Sequence, residues 1–240
     1  GLKSVSESVR NPISYWDVNL LGTKNLIEVM AKNDCYKFVF SSSATIYGST
    51  NSQKIKEDHH INPYNPYGHT KAAVEDLLTD LYNSNNKWSL AILRYFNPVG
   101  AHSSGEIGED PFGIPNNLFP FICQVAVGRL DKLLVFGNDW PTLDGTGVRD
   151  YIHVIDLAEG HLSALKNLFE SNNKRILKLN LGSGKGHSVL EVIKTFSQVT
   201  GVNIPYSITK RRKGDTAITV ADASLSKKIL GWETKRSLFE

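Results

Sequence analysis

The chain has 240 residues, 40% hydrophobic and 21% charged, with a net charge of +3 at neutral pH. That suits one large or two small globular domains with a sizeable core, and the small charge argues against nucleic acid or a membrane surface as partner. Two cysteines, Cys35 and Cys123, make no disulfide framework, so a reduced cytosolic protein is the default; no apolar run nears the ~20 residues of a membrane span, and no signal-peptide pattern opens the chain.

The chain starts at Gly1 without an initiator methionine, and polar loop residues are expected to lead to Tyr15-Trp16-Asp17-Val18-Asn19. A helix is expected from about residue 19 to residue 32, with Leu26, Ile27, Met30 and Ala31 at the spacing of a buried stripe. Phe38-Val39-Phe40 reads as a short buried strand ending in Ser41-Ser42-Ser43. Asn65-Pro66 has the form of an N-cap and first helical residue, which puts Tyr67 in the first turn of the next helix. Tyr67 and Lys71, four apart, share one face of it. An ammonium beside a phenol favours the phenolate, so Lys71 is expected to lower the Tyr67 pKa, and a strand-end serine can relay the same proton. Taken singly, Tyr-x-x-x-Lys is common and mostly structural, and a strand-end serine is usually a turn residue. Together they suit proton transfer on a sugar or alcohol hydroxyl.

Ala73, Val74, Leu77, Leu78 and Leu81 form the buried stripe of that helix, and residues 88–95 the next strand. Helix, strand, helix, strand argues a parallel sheet covered on both faces, with ligands at the carboxyl ends of its strands. From Gly100 the composition shifts to Gly, Pro and Asn, a long loop before a helix through Ile122, Val125 and Ala126. Leu133-Leu134-Val135-Phe136 is a short strand, and a glycine-containing loop over residues 138–147 leads into Val148-Arg149-Asp150-Tyr151-Ile152-His153-Val154. Gly182-Ser183-Gly184-Lys185-Gly186 follows a strand over residues 176–181 and opens a helix capped by Ser188 and Glu191. Its G-x-G-x-G spacing, late position and missing acidic residue ~20 positions on make it a strand-to-helix turn and not a dinucleotide loop; Gly186 after Lys185 excludes a P-loop. Lys210-Arg211-Arg212-Lys213 is one short basic run in a nearly neutral chain, which does not support nucleic acid. The seven histidines show no metal spacing, and no metal is assigned.

The serine strand with Ser-Ser-Ser-Ala-Thr-x-Tyr-Gly (residues 41–48), a proline-containing loop and Pro-Tyr-Gly-x-x-Lys (residues 66–71) resembles the extended short-chain dehydrogenase/reductase superfamily. Within it the chain is most similar to the UDP-glucose 4-epimerase family, over essentially all its 240 residues. The resemblance implies an α/β fold: a Rossmann-like parallel sheet, incomplete because the first βαβ part and its glycine-rich loop are missing, with a smaller mixed α/β substrate domain. Gly1-Leu2-Lys3 would match the strand end and loop after that missing part, and Ser237-Leu238-Phe239-Glu240 the start of a last helix. Residues 1–97 and 151–182 would be the remainder of the NAD domain, and 98–150 and 183–240 the UDP-sugar domain.

By the same resemblance Tyr67 is the base, Ser43 the helper hydroxyl, and Lys71 binds the nicotinamide ribose and tunes Tyr67. Lys3 would reach the NAD cofactor and Phe96 lie near its nicotinamide, while Asn19, in Asn-x-x-Gly-Thr, would shape the backbone there. Val5, Asn97, Asn117 and Leu118 would contact the nucleotide sugar and Phe136 line the uracil slot. A diphosphate needs cationic donors, and an arginine fork suits it; Arg149 and Arg212 are the candidates, with Asp215 on the ribose. Thr219 would border the hexose near C2, where family members with a tyrosine exclude an N-acetyl group. The implied partners are UDP-glucose and UDP-galactose, with UDP-N-acetylhexosamines as a further substrate class, and a second copy in a cytoplasmic homodimer. The alternatives are another NAD-dependent nucleotide-sugar epimerase or dehydratase, or a non-catalytic binding regulator. A dehydratase needs an acid/base pair beside the helper hydroxyl, where this chain has Ala44-Thr45.

Overall fold

In the computed structural model the chain opens on helix where the composition suggests loop. α1 (Val5–Arg10) starts at Ser4, whose hydroxyl accepts from the Glu7 amide at 3.3 Å, and α2 (Pro12–Tyr15) carries Pro12 in its first turn. Residues Trp16–Leu21 form a π-helical turn that runs into α3 (Gly22–Lys32). The expected polar loop and the expected helix start near residue 19 are therefore corrected. Ser4-x-x-Glu7 is a capping spacing that escapes a search for apolar periodicity, and the wide π turn carries Asn19 into the interior. α3 buries Ile27 and packs Met30 and Ala31, but leaves Leu26 exposed.

β1 (Lys37–Ser43) ends in the serines and passes into a 3-10 turn, Ala44–Tyr47. α4 (Pro66–Ser84) begins where Asn65-Pro66 predicts, with Asn65 Oδ1 accepting from the Gly68 amide at 2.9 Å. β2 (Ser89–Tyr95), β3 (Asn97–Val99), α5 (Leu118–Ala126), β4 (Leu133–Phe136) and β5 (Val148–His153) follow. The chain continues through α6 (Val154–Glu170), β6 (Ile176–Leu181), β7 (Gly186–Ser188), α7 (Val189–Thr200), β8 (Tyr206–Thr209), β9 (Ile218–Thr219) and α8 (Ser224–Leu230). Residues 1–49, 52–85, 87–111, 115, 117–171, 174–212 and 215–240 are described. Gly113, Ile114 and Asn116 of the long loop, and Lys213 and Gly214 beside the basic run, lie outside the described residues.

β1, β2 and β6 form a parallel sheet in the order β1-β2-β6. The period of two along β2 sends Leu90 and Ile92 to one face, where they pack with Val74 and Leu78 of α4 and with Ile27 and Phe40. Ala91 and Leu93 go to the other, against Leu157, Ala164 and Leu168 of α6 and Trp232. Each fully buried leucine of this kind contributes about 1.5–3 kcal/mol. Both faces are covered, so β2 reads as a continuous apolar run. A second sheet has the order β3-β5-β7 with β9 beside β5, parallel except for β5 against β7, and β4 and β8 form a separate parallel pair. Ile122, Val125, Leu133, Val135, Val192 and Ile193 hold α5, β4 and α7 together in a core of their own. No helix among the described residues is long and apolar enough to cross a membrane.

Candidate active site

Ser43 is the last residue of β1 and lies beside Tyr95 of β2 in the parallel register. Its hydroxyl caps the 3-10 turn, accepting from the Thr45 amide at 3.2 Å, and sits 2.9 Å from the Thr45 hydroxyl. Tyr67, in the first turn of α4, is 6% exposed. Burial pushes its phenol up to about 12, and the Ser43 hydroxyl pulls the other way. Lys71, one turn on, donates to the Ser41 carbonyl at 2.8 Å and stands over the rings of Phe40 and Tyr67, 4.7 and 5.9 Å from their centroids. Burial brings its ammonium down to about 8. The expected depression of the Tyr67 pKa by Lys71 is thus corrected for the protein alone. The ammonium is tied to a backbone carbonyl, and desolvation of the phenol is the larger effect.

Asn19 joins the start of the chain to α4. Its side-chain Oδ1 accepts from the Leu2 amide at 2.8 Å, and its Nδ2 donates to the Leu2 carbonyl at 3.0 Å and to the Thr70 hydroxyl at 3.1 Å. Thr70 in turn donates to the Tyr67 carbonyl at 2.8 Å. Phe96 is buried with Ala44, Ile46 and Tyr47 beneath the 3-10 turn. The resulting donor set, an ammonium, a phenol and the hydroxyls of Ser43 and Thr45, fits the diol of a ribose and a sugar hydroxyl.

A second group gathers on β5 and its neighbours. Arg149 pairs with Thr219 across β5 and β9, and Asn97 with Tyr151 across β3 and β5. Asp215 raises the Arg149 pKa against the burial that lowers it, and Arg149 and Arg212 both oppose the burial that pushes the Tyr151 phenol up to about 12. Arg212 bonds Asp215 at 3.1 Å and lies 4.6 Å from the centre of the Phe136 ring. Arg149, Phe136 and the segment carrying Arg212, Asp215 and Thr219 are therefore brought together from three stretches of the chain. Lys3 and Asn117 meet elsewhere, on Glu109, at 3.0 and 3.5 Å. Leu118 packs at the edge of the α5 core, and Val5 is 44% exposed on α1.

Gly182-Ser183-Gly184 does form a cradle, and Asp150 fills it. The Ser183 amide donates to Asp150 Oδ1 at 2.7 Å, and the Gly184 and Ala221 amides to Oδ2 at 2.9 and 3.1 Å. A Cβ on Gly182 would stand 2.6 Å from that carboxylate. The amides that would hold a phosphate are spent internally. Motif reading also missed Glu75 and Arg94, an ion pair 1% and 2% exposed directly behind the serines. The signal was a carboxylate four residues after Lys71 inside an apolar stripe. A cavity of about 420 Å³ lies apart, lined by Val99, Phe119, Tyr151, His153 and Phe196, with none of Ser43, Tyr67 or Lys71 on its wall.

Parallel strands that bring a serine to a Tyr-x-x-x-Lys helix define the class: an α/β enzyme of the short-chain dehydrogenase/reductase layout. The family model described as GDP-mannose 4,6 dehydratase matches residues 1–240. The UDP-glucose 4-epimerase of Bacillus subtilis is 55% identical over all of this chain and 70% of its own length. UDP-glucose 4-epimerase 4 of rice, Oryza sativa subsp. japonica, is 53% identical, and the chain spans 65% of it. The crystal structure of the Stenotrophomonas maltophila UDP-glucose 4-epimerase, which holds NAD and formylated UDP-arabinopyranose, superposes with a TM-score of 0.97 at 49% identity, covering 100% of this chain and 70% of that one. The chain belongs to the UDP-glucose 4-epimerase family.

Proposed function

We propose that the protein interconverts UDP-galactose and UDP-glucose, with Tyr67 as the proton acceptor for the sugar 4-hydroxyl. The observation that carries the reading is the meeting of Ser43, Tyr67 and Lys71 at the end of β1. Lys71, Ser43 and Tyr67 would hold the nicotinamide ribose of NAD, with Phe96 below and Lys3 at the rim. When bound, NAD would supply a transient oxidation at C4, and the positive charge of its oxidised form would favour the Tyr67 phenolate. The chain's own work is to place the sugar, move the proton and keep water away. Tyr67 takes the 4-hydroxyl proton and Ser43 orders the exchange. Lys71 would hold the ribose as its ammonium, so activity should fall as pH rises through the Lys71 pKa, about 8 in this chain.

Arg149 and Arg212 would grip the diphosphate, Asp215 the ribose and Phe136 the uracil. Asn97, Asn117, Leu118 and Val5 would touch the sugar, and Thr219 would leave room for an N-acetyl group at C2. Residues 1–97 and 151–182 would serve the cofactor, and 98–150 and 183–240 the UDP-sugar, with α8 and Trp232 folded back against the cofactor sheet. The protein would act in the cytoplasm as a homodimer. A dehydratase reading is disfavoured because the residues after Ser43 are Ala44 and Thr45, neither of them a carboxylate. The test is to incubate the NAD-loaded protein with UDP-galactose and separate the sugar nucleotides by anion exchange. UDP-glucose should appear with no net change in NAD. No UDP-glucose, or a 4-keto-6-deoxy sugar nucleotide in its place, would overturn the reading.

A further inference from the structure

Behind the serines lies one connected polar network. Arg94 donates through Nε to both Glu75 oxygens, each at 3.1 Å, and through Nη2 to Oε2 at 2.7 Å. Ser42 donates to the first Glu75 oxygen at 2.5 Å. Arg94 Nη1 reaches the Tyr47 hydroxyl at 3.0 Å and the Glu57 carbonyl at 2.8 Å, and Tyr47 donates to Asn180 Oδ1 at 2.7 Å. The network ties α4, β1, β2, the 3-10 turn and β6 at the level of the site. Ser42 and Arg94 are direct neighbours across β1 and β2, one residue before Ser43 and Tyr95. Tyr67, Lys71 and Glu75 follow one another at four-residue spacing along one side of α4.

A buried ion pair adds little net stability over an apolar pair of the same volume, so stability alone does not account for one here. We propose that Glu75 is a positioning residue of the site: through Ser42 and Arg94 it clamps the Tyr67 and Lys71 side of α4 onto the ends of β1 and β2, and it sets a negative charge one helical turn from the Lys71 ammonium. This rests on the epimerase reading above. The groups around Lys71 are Tyr67 and Glu75 on α4, and the Ser41 carbonyl on β1, whose side chain is bonded by His161 of α6 at 2.9 Å. Arg94, which Glu75 holds from β2, stands over the Tyr47 ring, 5.2 Å from its centroid. Glu75 is the anion among them, and it holds the Lys71 pKa up against burial.

The test is Glu75→Gln in the NAD-loaded protein, read by kinetics and by ¹⁵N-lysine NMR titration of the Lys71 ammonium. At pH 8, kcat for UDP-galactose should fall about 10–100-fold while KM stays within about threefold, the signature of lost positioning. The Lys71 titration and the upper limb of the pH profile should move down by about one unit. Because Glu75→Gln alone leaves Arg94 buried without its charged partner, Glu75→Gln/Arg94→Gln is made in parallel; it carries no unpaired buried charge and should show the same losses. Wild-type kcat with an unmoved Lys71 titration in either folded variant would overturn the proposal and leave Glu75 a packing residue. The titration needs no turnover, so it decides the role of Glu75 separately from the epimerase reading.

Discussion

Lys71 has a single hydrogen-bond partner among the described residues, the Ser41 carbonyl, and its burial beside that carbonyl accounts for both its place and its lowered pKa. Under the proposed double role of Lys71, toward the base and toward the ribose, Lys71→Ala should lose turnover and shed NAD on gel filtration; a variant that kept its NAD would contradict that role. Arg149 and Arg212 share Asp215, which bonds Arg212 at 3.1 Å and raises the Arg149 pKa against burial. Arg149→Ala and Arg212→Ala should each weaken UDP binding by about 1.5–3 kcal/mol, read by calorimetry. Unchanged affinity in both would place the diphosphate elsewhere. Thr219 shares its hydroxyl with Thr216 at 2.8 Å and sits beside Arg149. Thr219→Tyr should remove activity on UDP-N-acetylglucosamine and spare UDP-galactose, and equal loss of both would show that Thr219 does not border the hexose. At this scale the helix cap and the four-residue spacing put Tyr67 and Lys71 on one face of α4, while Ser43 was singled out by the family resemblance. The sequence did not show Glu75, Asp150 or Glu109, whose partners lie on other elements.

Among the elements, α4 organises the site. Its start is set locally by Asn65 and Pro66, and its depth by Val74 and Leu78, both fully buried. Asn65→Ala should cost about 1 kcal/mol and loosen the turn that carries Tyr67. Leu78→Ala should cost about 2–5 kcal/mol, with the loss read as a lower Tm. A Tm unchanged in Leu78→Ala would mean that α4 is not packed as described. The strands β1, β2, β4 and β6 were legible because apolar runs bounded by polar turns have few other readings. The helices before Asn19 were not, because α1 and α2 are short and carry exposed apolar residues such as Val9 and Ile13. Such helices show no clean stripe. The π turn at Trp16–Leu21 has no periodicity to find, yet it places Asn19 between Leu2 and Thr70.

For the whole molecule, the order β1-β2-β6 brings residues 37–43 and 176–181 onto the two sides of β2. The alternation of helix and strand implied a covered parallel sheet, and both faces of β2 are packed. The second sheet was less legible. Its strands are two to six residues long and gather Arg149, Thr219 and Asn97 from separate parts of the chain, which no local pattern announces. The glycine cluster at Gly182 is a turn, as its spacing implied, but it leads first into β7 at Gly186 and only then to α7, and its anchor, Asp150, is a long-range contact.

The central assignment, Tyr67 as the group that moves the 4-hydroxyl proton, is tested most directly by Tyr67→Phe. Phenylalanine keeps the ring that packs edge-on to Tyr15 with centroids 6.4 Å apart, and removes only the hydroxyl. Turnover of UDP-galactose by the NAD-loaded variant should drop about 10²–10⁴-fold, with UDP affinity by calorimetry unchanged. Turnover close to that of the unaltered protein would contradict the assignment.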